Sequence, residues 1–586
     1  MVFSQIFVLL IVVFLVLALY KEWFNPALTF FICAMALVIT GIISPAELLK
    51  GLSNQQIIII FLLVLVTAGI RSLVGTELLS RFFKESLTPK AFLLRLMIFS
   101  SSTSSLLNNT PIVAFLIPYV KDWASRTGNS SSKFLIPLSH ATILGGMITV
   151  VGTSTNLVLN GLIESYHLPL LNFTDFLYLG LIVTVIGWIY FYFVGYALLP
   201  DNKDKLTTIY KHLKEYIVET ELSENSKLIG RTVKDAGLRN LQDVFLVEIL
   251  RDEQVISPVS PEQVLHSGDL LFFSGNTSAI YKLIEDDNGL RLPKQEHIEK
   301  EGQFNFVEAI IPSGSDLTGV KIKDSNFRSR FSASIVAVHR DGKRLGGKMG
   351  EAQLAGGDFL LLLAGESSIK NDQHKDLFYL SVPQKLSAKK PFWYKWLGIG
   401  VFGALILGVT GIIPLFSACL VLLCVLVFSG RLSLSQIRQN LDLSLLLILV
   451  CSLAIGIALE KTGTADMMAS TLLKYGQEFG PVVMLSVLFI TTILLTSLIT
   501  NAAAVSIMFP IAMAIASQMV LNTTPFFVAI AFAASGDFMT PIGYQTNLMV
   551  YGPGGYTFKD FLRAGTPFTI LYSIVCITFI VLFYKL

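Results

Sequence analysis

Leu107-Asn108-Asn109-Thr110-Pro111 interrupts one apolar stretch of this chain, and Ile499-Thr500-Asn501-Ala502-Ala503 interrupts another. A second pair behaves alike: Gly152-Thr153-Ser154-Thr155-Asn156-Leu157 and Gly543-Tyr544-Gln545-Thr546-Asn547-Leu548. Asn109 and Asn501 lie 392 positions apart (501 − 109), as do Pro118 and Pro510, and Asn156 and Asn547 lie 391 apart (547 − 156). Two large parts of the chain therefore repeat in near register.

The surroundings of these breaks are apolar. The 586 residues are 53% hydrophobic and 15% charged, with a mean hydropathy of +0.66, whereas soluble domains carry roughly 25% charged residues. This composition implies an integral membrane protein, partnered by the lipid bilayer, with length left over for a soluble part. A net charge of +3 offers no basic field for nucleic acid. Cys33, Cys419, Cys424, Cys451 and Cys576 sit in apolar segments without metal-ligand spacing and read as small core hydrophobes. Residues 5–20 read as a retained transmembrane helix, because Met1–Gln5 holds no Lys or Arg.

Apolar runs of spanning length, about 17–25 residues, fall near 4–20, 27–44 and 54–72. An interrupted stretch follows at 91–120, then runs near 134–163 and 174–199. The pattern restarts near 393–411, 412–430 and 443–461, with an interrupted stretch at 481–520 and runs near 526–551 and 562–585. The expected fold is thus a polytopic α-helical membrane protein, each half holding five spans and a re-entrant hairpin. An odd number of spans makes the two halves an inverted repeat, the design of alternating-access carriers. With the N-terminus outside, Lys21, Arg71, Arg81, Lys84, Lys90, Arg95, Lys121, Arg126, Lys133, Arg431, Arg438, Lys559 and Arg563 are cytoplasmic. Only Lys50, Lys461, Lys474 and Lys585 face out, as the positive-inside rule requires. The C-terminus is then outside, and residues 200–392 are cytoplasmic.

Charge rises in 201–390, and apolar runs shorten to strand length. Gly230, Lys234-Asp235, Arg239, Arg251-Asp252 and Gly268-Asp269 recur 89 positions on (319 − 230) as Gly319, Lys323-Asp324, Arg328, Arg340-Asp341 and Gly357-Asp358. Val244–Leu250, Leu270–Phe273, Ser334–Val338 and Phe359–Leu363 read as strands. Two tandem α+β modules are therefore expected within the membrane part. The domain boundaries are 1–199 for the first transmembrane repeat, 211–290 and 298–384 for the modules, and 391–586 for the second repeat.

The breaks carry the chemistry. Asn109-Thr110-Pro111 suits a helix start at about Pro111, with free N–H groups and the positive dipole end deep in the membrane. Asn501 starts the matching arm. Gly152 and Gly543 permit an unwound turn, and Thr155-Asn156 or Thr546-Asn547 cap the restarted helix. Hydroxyls and amides from Asn108, Asn109, Thr110, Thr153, Ser154, Thr155, Asn156, Thr500, Asn501, Gln545, Thr546 and Asn547, with Ala502 at the second tip, line an anion site without Lys or Arg. Freed carbonyls suit sodium, which balances the anion's charge. A single Asn, Ser or Thr also serves as interhelical glue, but four segments in paired register point to a binding site. Asp537, before the last break, is a candidate coupling carboxylate. His140 reads as a packed, satisfied core residue.

These motifs, in this order, resemble the divalent anion/sodium symporter family, whose members carry sulfate or di- and tricarboxylates. The family's Ser-Asn-Thr tips read here as Asn108-Asn109-Thr110 and Thr500-Asn501-Ala502. The resemblance implies that Asn109 and Asn501 touch both substrate and sodium, and that Ser104, Thr496, Gly152 and Gly543 complete the sodium sites. Loss of the last hydroxyl at Ala502 favours one tetrahedral oxyanion over two carboxylates. Pro541-Ile542-Gly543-Tyr544-Gln545-Thr546-Asn547 looks like the sulfate-permease-like branch. The 89-residue repeat resembles the C-terminal domain of TrkA-type potassium-transport regulators, also called the RCK C-terminal domain. An elevator motion, a homodimer and a small ligand for the modules are implied by the same resemblance. Asp537 departs from the small neutral residue expected there.

The resulting expectation is a plasma (inner) membrane symporter, not an enzyme, importing a divalent oxyanion, most of all sulfate, with sodium ions as the transported cofactor and no organic cofactor. The alternatives are a di/tricarboxylate:sodium symporter of the same fold and a ligand-gated anion channel.

Overall fold

The computed structural model describes residues 2–586 apart from 22, 25, 72–82, 203–216, 239–243, 252–253, 257–258, 276–289, 292–305, 313–314, 332, 341–342, 346–348, 365–376, 380–392, 434–436, 438–442 and 477–479. Parts of both expected modules, including Arg239, Asp252 and Asp341 of the 89-residue repeat, lie outside the described residues. The chain divides into two compact units, Met1–Asp201 with Ser387–Leu586, and Asn202–Leu386.

The first unit is helical and built from several apolar helices. Its first part holds α1 (Val2–Tyr20), α2 (Pro26–Ile39), α3 (Pro45–Leu49), α4 (Gln55–Arg71), α5 (Pro89–Ser104), α6 (Asn109–Thr127), α7 (Leu135–Gly146), α8 (Ser154–Ser165) and α9 (Phe173–Tyr190). Its second part holds α10 (Trp393–Val409), α11 (Leu415–Phe428), α12 (Leu443–Lys461), α13 (Thr464–Gly476), α14 (Pro481–Thr496), α15 (Asn501–Gln518), α16 (Thr524–Ser535), α17 (Gln545–Tyr551) and α18 (Phe558–Tyr584). Local signals set several ends. Thr88 accepts from the Ala91 amide ahead of Pro89 at the start of α5, and Thr557 with Asp560 forms a capping box on α18. Gly128, left-handed at φ 68°, ends α6.

Among the described residues, three helices are long and apolar enough to cross a membrane: Phe173–Leu198, which carries α9 through a π turn at Phe191–Gly195, then α15 and α18. Two bent pairs raise the number to five: Pro45–Ser53 with Gln55–Ile70 at 46°, and Leu446–Lys461 with Thr464–Thr471 at 70°. The remaining apolar helices are shorter, 10–17 residues. Residues 464–476, outside every expected span, form α13.

Burial separates interior from periphery. Every residue of α7 is buried, and α16 is buried from Pro525 to Ser535. In contrast, α18 presents Ile570, Ile574 and Leu582, and α9 presents Ile182 and Ile189, as exposed apolar side chains. A belt of large apolar residues turned outward suits hydrocarbon rather than water. Two of the polar breaks follow these buried helices, residues 152–157 after α7 and 543–548 after α16.

The second unit holds two five-stranded sheets. The first contains β1 (Ile217–Leu222), β2 (Val244–Arg251), β3 (Gln254–Ile256), β4 (Leu270–Gly275) and β5 (Leu290–Arg291) in the order β3-β2-β4-β1-β5. The second contains β6 (Phe306–Ile310), β7 (Ala333–Arg340), β8 (Lys343–Arg344), β9 (Phe359–Ala364) and β10 (Phe378–Tyr379), ordered β10-β6-β9-β7-β8. Read from the other edge, this is the same order. The register shift between Leu246 and Glu248 recurs 89 residues on, between Ile335 and Ala337. In each sheet an arginine grips a buried aspartate with two bonds of 2.7 Å, Arg251 on Asp269 and Arg340 on Asp358. The aspartates follow Gly268 and Gly357, both at positive φ, and open β4 and β9.

Candidate functional site at the paired breaks

Three of the four helix starts lie slightly ahead of their expected places. α6 begins at Asn109 behind Asn108, so Pro111 sits third in the helix. A proline is tolerated there because first-turn N–H groups have no helical acceptor. α15 begins at Asn501, as expected, behind Thr500. α8 begins at Ser154 behind Thr153, and α17 at Gln545 behind Tyr544. Thr155-Asn156 and Thr546-Asn547 therefore stand in first turns, not at caps. Their asparagine amides turn back instead: Asn156 Nδ2 donates to Thr149 O at 3.0 Å, and Asn547 Nδ2 donates to Thr540 O at 3.0 Å and Asp537 O at 2.9 Å. These bonds pin the unwound segments. None of the four starts is capped by its own side chain, and the buried Thr500 hydroxyl has no partner among the described residues. Free amide N–H groups remain at each.

The hydrogen bonds of the two halves correspond. Thr149 Oγ1 donates to Ser105 O at 2.6 Å, and Thr540 Oγ1 to Ser497 O at 3.3 Å. The Ser104 hydroxyl meets the Asn109 amide, and Thr496 Oγ1 donates to Asn501 Oδ1 at 2.9 Å. Gly152 and Gly543 are required by close approach. A Cβ on Gly152 would lie 2.6 Å from Gly146 O and 2.7 Å from Ser104 O; one on Gly543 would lie 2.3 Å from Thr496 O.

Each helix that starts at an asparagine break also meets the other half's restarted helix, α6 packing on α17 and α15 on α8. Asn109 lies 2.5 Å from the Tyr544 hydroxyl, which is 3.3 Å from Thr153 Oγ1. Thr110 Oγ1 donates to Gln545 Oε1 at 3.2 Å. Ser139 of α7 bonds both Thr546 Oγ1 at 3.0 Å and Asn547 Oδ1 at 2.7 Å. Asn109, Thr153, Thr155, Asn156, Thr546 and Asn547 are buried; Asn108, Thr110, Ser154, Thr500, Asn501 and Ala502 are partly buried, and Gln545 is exposed. Tyr544, Ser139, Thr149 and Thr540 are additions to the residues chosen from sequence. The spacing of seven from threonine to asparagine, present twice (156 − 149 and 547 − 540), is the signal that points to the last two.

The Asn109 amide has two readings, since its oxygen and nitrogen are told apart only by their neighbours. With the nitrogen toward Thr142 O and Gly152 O, both 3.2 Å away, it donates to those carbonyls and its oxygen accepts from Tyr544. With the oxygen there, three oxygens converge beside the Ser104 hydroxyl. Oxygens at that distance repel unless a cation lies among them.

Asp537 is fully buried and accepts from Thr540 Oγ1 at 3.1 and 3.2 Å, Thr540 N at 3.3 Å and Ser497 Oγ at 3.4 Å. His140 is packed, as expected, among Phe191, Phe538, Phe561 and Phe568. It is not satisfied: neither ring nitrogen has a hydrogen-bond partner among the described residues.

The chain matches the family described as citrate transporter over residues 9–521 and 405–586. It is 33% identical over 571 residues to a putative sulfur deprivation response regulator of Chlamydomonas reinhardtii, covering 95% of this chain and 97% of that protein. It is 31% identical over 594 residues to an uncharacterized transporter of Synechocystis, with 98% and 96% covered. Sodium/sulfate cotransporter 1 of Chlamydomonas reinhardtii is 24% identical over 767 residues, with 94% and 87% covered. An apolar helical unit interrupted by polar breaks and these full-length relatives agree: the chain is a membrane transporter and belongs to the citrate transporter family.

Proposed function

We infer that the protein is a sodium-coupled symporter that imports a divalent oxyanion, sulfate above all. The observation that carries this reading is the Asn109 cluster. With its amide oxygen turned toward Thr142 O and Gly152 O, Asn109 joins them and the Ser104 hydroxyl in an oxygen-only, uncharged set suited to a hard monovalent cation. That cation lies beside the starts of α6 and α8, whose free N–H groups and dipoles favour an anion. Sodium and anion thus stabilise each other, which is the physical content of symport. Relatives named as sodium/sulfate cotransporters support sulfate and sodium.

The corresponding hydrogen bonds of the two halves support an inverted repeat working by alternating access, with Asn109 and Asn501 at matching places. The resemblance adds an elevator motion and a homodimer. The second unit acts as two TrkA-C-like cytoplasmic modules, supported by their shared strand order and arginine–aspartate grip, and serves regulation or assembly through a small ligand. The protein resides in the plasma (inner) membrane with both termini outside.

A second reading, a tricarboxylate as substrate, is favoured by the family's description. Uptake of labelled sulfate, succinate and citrate into proteoliposomes, with and without an inward sodium gradient, separates the two. Saturable, gradient-driven sulfate uptake supports the first reading. Citrate uptake without sulfate uptake supports the second, and equal uptake without sodium overturns the coupling.

A further inference from the structure

The two halves differ in charge at one matched position. In the first half, the space beside Gly152 is bounded by Ser104 O and Gly146 O, 2.7 and 2.6 Å from where a Cβ would stand. In the second, the space beside Gly543 is bounded by Thr496 O and Asp537 Oδ2, at 2.3 and 2.4 Å. Ser104 and Thr496 are 392 apart (496 − 104), and Gly146 and Asp537 are 391 apart (537 − 146), the offsets of the repeat itself. Where the first half offers a main-chain carbonyl, the second offers a carboxylate.

That carboxylate is fully buried, and every described hydrogen-bond partner of its side chain is neutral. The donors stand at 3.1–3.4 Å, longer than the roughly 2.5–2.7 Å of a hydroxyl bonded to an ionised oxygen. A buried charge with so little support calls for a counter-ion. Oxygens at this place include Thr496 O beside the carboxylate, and Thr496 Oγ1, which bonds Asn501 Oδ1 at 2.9 Å and Ala534 O at 2.7 Å.

We propose that Asp537 is a cation ligand peculiar to the second half, so that the two halves hold their cations unequally. The inference rests on the sodium-coupled reading above. A sodium ion against Asp537 and Thr496 O is neutralised locally and binds before any anion arrives. The cation of the first half, held by neutral groups alone, depends on the anion for its charge balance. Cation binding in the second half is therefore the first step of loading.

The test measures thermal unfolding of the purified full chain across a sodium titration, with choline replacing sodium and no anionic substrate. Sodium dependence of uptake in proteoliposomes is measured beside it. The wild type is expected to be stabilised by sodium alone. Asp537→Asn is expected to raise the half-maximal sodium concentration about tenfold or more in both assays, because ligand charge tunes cation affinity. Asp537→Gly, which restores the residue of the first half, must move it in the same direction and covers the case in which the asparagine variant does not fold. Unaltered sodium titrations in a folded variant overturn the proposal. So does wild-type uptake that follows a proton gradient and loses it in Asp537→Asn with the sodium response intact, which assigns the carboxylate to a proton. A wild type indifferent to sodium in both assays defeats the sodium-coupled reading itself.

Discussion

The Asn109 side chain and the Tyr544 hydroxyl meet at 2.5 Å although 435 residues separate them in sequence. One belongs to the start of α6 in the first half, the other to the break before α17 in the second. Tyr544 also reaches Thr153, so one hydroxyl ties the breaks before α8 and α17 to the start of α6. Removing it in Tyr544→Phe is expected to cost about 1 kcal/mol of stability, the usual worth of a hydrogen bond between membrane helices. The larger effect is expected on transport, since the Asn109 amide loses its anchor beside the cation. A double-mutant cycle with Asn109→Ala, read by thermal unfolding and by uptake, checks this; additive effects would show that the two groups act independently.

Gly152 and Gly543 have no room for a methyl group. Overpacking of this kind costs about 1–3 kcal/mol. Gly152→Ala is expected to push Ser104 and Gly146 carbonyls apart and to raise the sodium concentration for half-maximal uptake by about tenfold, the equivalent of about 1.4 kcal/mol. Uptake measured across a sodium series at fixed anion checks it. An unchanged series would remove Gly152 from the cation site.

His140 lies among four phenylalanine rings, and its two nitrogens have no hydrogen-bond partner among the described residues. A buried polar group without a hydrogen bond costs about 1–3 kcal/mol. His140→Leu is therefore expected to raise the unfolding temperature while uptake persists. A lower temperature would show that the imidazole has a partner in the working protein.

Glu248 lies in the second unit, outside the membrane-spanning segments. Burial pushes its carboxyl up from 4.5 to about 7. The folded unit thus prefers the neutral acid. Its contribution is fully present below the unfolded value near 4.5 and is lost as pH rises through about 7. Calorimetry of the full chain is expected to show this unit less stable at higher pH across that window, and Glu248→Gln is expected to flatten the slope. A slope that persists in the variant would place its origin elsewhere.

Much of this architecture is legible in the sequence because polar residues stand out in apolar runs. Asn109, Asn501, Asn156 and Asn547 are conspicuous for that reason, and the strands Val244–Arg251 and Phe359–Ala364 lie where alternation and apolar runs put them. Three helix starts shifted by one or two residues because capping preference and proline position are local rules, while Asn156 and Asn547 are claimed by carbonyls of the unwound turn. Tyr544 stands in the second break in register with Thr153 (544 − 153 = 391), but an aromatic ring there reads as filler, and its partner Asn109 lies in the other half of the chain. α13 escaped because a short amphipathic helix between spans resembles a loop in hydropathy. Gly146 pairs with Asp537 by the 391-residue offset (537 − 146), but the contact of each with the paired glycine is seen only in the structure.

The most direct test of the central claim is sodium-driven uptake of labelled sulfate by proteoliposomes holding the wild type, Asn109→Ala or Asn501→Ala. Uptake that saturates, requires the inward sodium gradient and collapses in both variants is the predicted result. Uptake that proceeds without sodium, or survives in both variants, would contradict a site built from the uncharged breaks of the two halves.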